Sequence, residues 1–142
     1  MPMFNEQVAA QTRQILGGLR DPVRILFFTE GAASPLSGHV AEFLAELAAL
    51  SPLIAVETRD LAGDAARAKE LGVHHAPALL VDRAGGERFP VRYYGLPSGH
   101  EFGAFLRVLI LLSTGAGMLG VDASAAAGIA RAANLKVFVL AA

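Results

Sequence analysis

The residues able to do chemistry in this chain are hydroxyls, imidazoles and carboxylates, because it contains no Cys. Without sulfur there is no thiol exchange, no disulfide and no thiolate metal site. Two serines, Ser34 and Ser37, stand three residues apart in the run Thr29-Glu30-Gly31-Ala32-Ala33-Ser34-Pro35-Leu36-Ser37. A Ser34–His75 couple would supply a nucleophile and its base. However, the sequence holds no G-x-S-x-G elbow, and no third, orienting acid is evident. His39, His74 and His75 lack an evident fourth metal ligand and the hydrogen-bond partners that orient ligating imidazoles. They read as loop or surface histidines. Gly115-Ala116-Gly117-Met118-Leu119-Gly120 matches the G-x-G-x-x-G fingerprint. That fingerprint needs a strand before it and an acid closing the next strand. Here a helix is expected before it, and the next strand ends Val139-Leu140-Ala141-Ala142, so the run reads as a connector. No cofactor and no metal is expected.

Composition narrows the classes further. The chain has 142 residues, suited to one domain, with 54% hydrophobic and 18% charged residues. Average globular chains carry roughly 25% charged residues, so disorder is excluded. A net charge of −1 offers no footprint for nucleic acid or an anionic membrane. The strongly apolar stretch Phe102 to Leu112 carries Arg107 and is too short to span a bilayer. The N-terminal residues lack a basic segment followed by an apolar one, so no signal peptide is expected and the default location is cytoplasmic.

The elements follow from periodicity and punctuation. Asn5 to Leu16 is expected as a helix with Val8, Ile15, Leu16 and Leu19 on one stripe, ended by Gly17-Gly18. Val23 to Phe28 (VRILFF) is nearly continuously apolar, as in a central strand buried on both faces. Ser34 and Pro35 fit the N-cap and first position of a helix whose Val40, Phe43, Leu44 and Leu47 form one stripe. Leu53 to Val56 is a short strand, and Asp60 is expected to cap a third helix reaching Leu71. Ala78 to Val81 and Arg88 to Tyr94 flank the turn residues Asp82 to Glu87, an antiparallel hairpin. Ser98-Gly99-His100-Glu101 has the form of a capping box before a helix bearing Phe102, Phe105, Leu106 and Leu109. The order β-α-β-α-β-β-α after a leading helix is an α/β fold, a four-stranded mixed sheet flanked by helices: the thioredoxin-like topology. Residues 1–114 would form this domain. Residues 115–142 would add a C-terminal helix (Asp122 to Ala133) and strand (Lys136 to Leu140). Leu135-Lys136-Val137-Phe138-Val139-Leu140 parallels Pro22-Val23-Arg24-Ile25-Leu26-Phe27-Phe28, as in the start of a second repeat.

The segments Ala76-Pro77-Ala78-Leu79-Leu80-Val81 and Val91-Arg92-Tyr93-Tyr94-Gly95-Leu96-Pro97-Ser98-Gly99-His100-Glu101-Phe102 carry a specific resemblance. They resemble the N-terminal repeat of the glutaredoxin-like protein disulfide oxidoreductases and the N-terminal domain of the alkyl hydroperoxide reductase flavoprotein subunit. The resemblance implies that Pro77 is a cis-proline whose loop faces the start of the second helix. It also implies that a redox Cys-x-x-Cys pair would occupy positions 34 and 37. At a helix N-terminus, free N–H groups and the macrodipole stabilise a thiolate. Serine keeps that shape and loses the chemistry, so Ser34 and Ser37 are vestigial redox positions. Two origins fit: a domain naturally without the thiols, or a Cys-Pro-Leu-Cys pair replaced by serine.

The expectation is therefore a redox-inert domain serving as scaffold or docking module in redox homeostasis. The alternative is a thiol–disulfide oxidoreductase seen as a Cys-to-Ser or truncated form. Ser34, Pro35, His75, Ala76 and Pro77 would line a groove for an extended peptide. The expected partner is a protein or a second copy, met through a sheet edge or the C-terminal strand, which would not remain bare.

Overall fold

The computed structural model describes residues 2–31, 33–115 and 128–138. Its elements are α1 (Glu6–Leu16), β1 (Val23–Thr29), α2 (Pro35–Ala49), β2 (Ile54–Asp60), α3 (Ala65–Glu70), β3 (Ala78–Arg83), β4 (Val91–Tyr94) and α4 (His100–Thr114). The sheet order is β2-β1-β3-β4, with β1 parallel to β2 and the other pairs antiparallel. The architecture is the four-stranded mixed sheet with flanking helices expected from the sequence.

The apolar run of β1 explains its central place. Successive side chains leave a strand on opposite faces. Ile25 and Phe27 enter the larger core with Val40, Phe43 and Leu44 of α2 and Phe105 and Leu109 of α4. Leu26 and Phe28 enter a smaller core with Ala68 of α3, Leu80 and Phe89. Both faces are thus filled from one short stretch, Ile25 to Phe28. An aromatic chain ties the helices of the larger core together. Phe4 lies against Phe43 and Phe102 at centroid separations of 5.6 and 5.3 Å, and Phe105 meets Tyr93 of β4 edge-on at 5.1 Å. The Glu46 carboxylate holds the segment before α1 in place, accepting from the backbone N–H groups of Met3 and Phe4.

Several local expectations are corrected. Thr12, not Ile15, joins Leu16 on the buried face of α1, and Ile15 is exposed. Asp60 ends β2 and caps a turn, its Oδ2 accepting from Gly63 N at 2.7 Å. The third helix therefore starts only at Ala65, and Asp64 stands at its N-cap. Ser98 does not cap α4. Gly99 takes that position at φ 64°, a conformation glycine adopts freely, and no side chain among the described residues caps the helix. The fourth strand begins at Val91 rather than Arg88, because the backbone before it is held elsewhere. The nearly buried Asp82 carboxylate accepts from Arg83 N, Arg88 N and Phe89 N.

At the C-terminus, residues 128–138 carry neither α-helix nor strand. A strand exists only through pairing, and Leu135, Val137 and Phe138 are almost fully exposed instead of resting on a sheet edge. The remaining residues of the expected helix and strand, 122–127 and 139–140, lie outside the described residues.

Candidate functional site

The loop from β1 into α2 is built by its own short polar side chains. Thr29 Oγ1 accepts from Gly31 N at 3.0 Å, and Gly31 sits at φ 91°. Ser34 N donates to Gly31 O, and Ser34 then takes the extended conformation of an N-cap. Its Oγ accepts from Ser37 N at 3.3 Å, satisfying one of the orphan donors of the first turn. Pro35 occupies the first turn, where its missing N–H costs nothing. Ser37 is 1% exposed, and its Oγ accepts from Glu30 N at 3.3 Å. Both hydroxyls are thus committed to holding the loop. No acidic residue stands in the first turn of α2 to offset the positive end of its dipole.

The second loop reaches the same end of the sheet. The antiparallel register sets Phe28 at the end of β1 beside Ala78 at the start of β3. The loop after Thr29 and the loop His75-Ala76-Pro77 therefore leave the sheet side by side. The Ala76–Pro77 peptide bond is cis. Pro77 O accepts from Gly95 N at 3.0 Å, tying the loop to the end of β4. Pro77 is buried, Ala76 half-buried and His75 exposed.

The expected chemical constellations separate on inspection. No hydrogen bond joins Ser34 to His75 among the described residues; the His75 ring instead lies edge-on to Tyr94 at 6.2 Å. His39 sits on α2 and His74 in the loop before β3, and no group of three His, Asp or Glu side chains is arranged for a metal among the described residues. The glycine run begins at the C-terminus of a helix, since α4 extends to Thr114 and Gly115 closes it in the left-handed region. Residues 116–120 of that run lie outside the described residues.

The sequence reading missed three positioning side chains. Asp82 organises the loop between β3 and β4. The buried Ser113 of α4 accepts from Arg20 N and Asp21 N and donates to Asp21 O, fastening the link between α1 and β1. Arg24, in the central strand, bridges Glu57 at 3.1 Å and Glu87 at 3.0 Å. Arg59 and Arg24 hold the Glu57 carboxyl below its ordinary value, and Arg24 and Arg67 do the same for Glu87. An aspartate closing a strand before Gly85-Gly86 was the available signal for the first; the other two are long-range contacts without a local motif.

A four-stranded mixed sheet, a helix starting where β1 ends and a cis-proline opening β3 together define a thioredoxin-like fold. Among solved structures, the chain is similar to an N-terminal domain of alkyl hydroperoxide reductase AhpF from Enterococcus faecalis. The TM-score is 0.76 at 26% identity, covering 85% of this chain and 57% of that one. It is also similar to a protein disulfide oxidoreductase from Aeropyrum pernix, with a TM-score of 0.65 at 23% identity, covering 77% of this chain and 47% of that one. A Halobacterium salinarum thioredoxin mutant shares the fold at a TM-score of 0.51 and 20% identity, covering 66% of this chain and 76% of that one. The chain thus spans 57% of the AhpF domain chain it matches and less of the disulfide oxidoreductase. No family model and no curated protein matches it.

Proposed function

We propose that this chain is a redox-inert thioredoxin-like domain, a cytoplasmic scaffold or docking module in thiol–disulfide or peroxide metabolism. The observation that carries this reading is oxygen at both positions of the α2 start, Ser34 and Ser37, in a chain with no sulfur nucleophile. Disulfide exchange requires a thiolate to attack sulfur and a second thiol to resolve the mixed disulfide. A serine hydroxyl does neither. Ser34, Pro35, His75, Ala76 and Pro77 remain as a groove that holds an extended peptide of a protein partner, or of a second copy, without cleaving or reducing it. In this reading residues 1–114 are the domain and residues 115–142 lead toward a second repeat. Neither nucleic acid nor membrane is a partner in this reading. Insulin reduction coupled to dithiothreitol tests it: turnover stays at background. Turnover above background overturns it.

A second reading is favoured by the undisturbed cap geometry at 34 and 37. In it the natural protein is a thiol–disulfide oxidoreductase, here with serine in place of a Cys pair or as one piece of a longer chain. The coding sequence at positions 34 and 37 and beyond 142 decides between them. Cys codons there, or a downstream Cys-x-x-Cys, select the oxidoreductase.

A further inference from the structure

The two margins of the sheet differ in charge and in what they leave open. Among the described residues, β4 pairs only with β3. Gly95 N donates to Pro77 O, so in this antiparallel register Tyr93–Leu79 and Val91–Val81 are the hydrogen-bonded pairs. Arg92 and Tyr94 are the alternating positions, and their backbone N–H and C=O groups turn outward, away from β3. Their side chains share the face on which Leu80, the Arg92 partner, joins the α3 core.

That face is basic and aromatic. Arg92 is half-buried, and its guanidinium passes Gly72; it makes no ion pair or side-chain hydrogen bond among the described residues. Tyr94 is 52% exposed, with the His75 ring against it. From Arg88 to Gly99 the chain has two arginines and no acid, and from Leu71 to Val81 it has His74 and His75 and no acid. The opposite margin, β2, carries Glu57 and Asp60, and its Glu57 is already bridged by Arg24 and Arg59.

We infer that the outer edge of β4 receives an extended, acidic segment of a partner protein by strand addition. Arg92 and Tyr94 supply the backbone ladder, and the unpaired Arg92 guanidinium takes a carboxylate of the incoming strand. Main-chain pairing gives attachment, and the charge selects which strand attaches. This site is distinct from the groove between Ser34 and Pro77.

The test uses the intact chain, isotope-labelled for amide NMR, with two synthetic probes. One is the acetylated peptide Thr-Val-Glu-Val-Glu-Val-Thr, the other its counterpart with Lys in place of Glu. The glutamate peptide shifts and protects the Arg92 and Tyr94 amides, and the lysine peptide binds about tenfold more weakly. Arg92→Glu inverts that preference. Arg92→Gln, the neutral isostere of that glutamate, abolishes it and guards against a fold defect in the reversal. Equal binding of the two peptides, no binding, or shifts on β2 overturn the inference. Shifts confined to Ser34–Ser37 and His75–Pro77 also overturn it, while leaving the groove reading intact. Arg92 and Tyr94 shifts that depend on protein concentration alone, with a dimer mass in sedimentation, assign the edge to a second copy and overturn it as well.

Discussion

Placing sulfur at the head of α2 measures what the oxygen there leaves unused. In Ser34→Cys, the substituted side chain sits where Ser34 Oγ now accepts from Ser37 N. A thiolate at that point gains a charge-assisted hydrogen bond and the field of a 15-residue helix with no acid in its first turn. The bond contributes about 1.5 kcal/mol and the dipole about 0.5 kcal/mol. Their sum of about 2 kcal/mol moves the thiol–thiolate equilibrium about thirtyfold toward thiolate. An ordinary thiol is a few per cent ionised at pH 7, so about half of this one would be. The assay is the initial rate of iodoacetamide alkylation against pH, compared with a free cysteine peptide. The variant reaches half its plateau rate near neutrality, well below the peptide. Adding Ser37→Cys then yields a chain that diamide closes into an intramolecular disulfide. A pH profile superimposable on that of the free peptide refutes the reasoning, because it means the cap amides do not reach the substituted atom.

Three further outcomes follow from contacts elsewhere. A Cβ at Gly86 would overlap the Asp82 carboxylate, so Gly86→Ala loosens its hold on Arg83, Arg88 and Phe89 N–H groups and costs about 1–3 kcal/mol in urea unfolding; an unchanged midpoint and slope contradict that. Glu46→Ala frees the amides of Met3 and Phe4, lowering stability by about 1 kcal/mol and moving the Phe4 ring resonances. The carboxyls of Glu57 and Glu87 lie below their ordinary value of 4.5 in the folded chain. Their contribution is therefore present above pH 4.5 and is lost as pH falls through the lower folded values. Melting temperature measured from pH 6 to 3 falls over that window, less steeply in Glu57→Gln and at high salt, because these groups are largely exposed.

The sequence was informative where one element's own residues determined its state. The apolar run of β1 marked a central strand because it must fill two cores. Ser34-Pro35 marked the start of α2 because cap and first turn are local chemistry. The reading failed where a motif needed a backbone conformation set from outside. Ser98 and Glu101 had the spacing of a capping box, but Gly99 turned the chain into α4 one residue later. Asp60 had the right type for a helix cap and closed a turn instead. Asp82 shortened the fourth strand by drawing two amides from the far side of its loop, a contact that strand propensity does not encode. The candidate site was legible as a pair of loops, since register alone sets Phe28 beside Ala78. The unpaired state of Arg92 on β4 was not, because it depends on which charges the fold brings together.

The ion pairs along β2 have a consequence for how this sheet can grow. A sheet receptive along both sides adds copies without limit, as fibres do. Here a chain of charges runs inward from β2 across one face of the sheet, from Arg59 through Glu57 to Arg24 and on to Glu87 and Arg67. A strand arriving beside β2 meets a Glu57 already paired with Arg24 and Arg59, whereas one arriving beside β4 meets an Arg92 with no ion pair among the described residues. With that carboxylate already neutralised, β2 of one copy is a poor acidic partner for the β4 edge of another, which works against head-to-tail addition of copies.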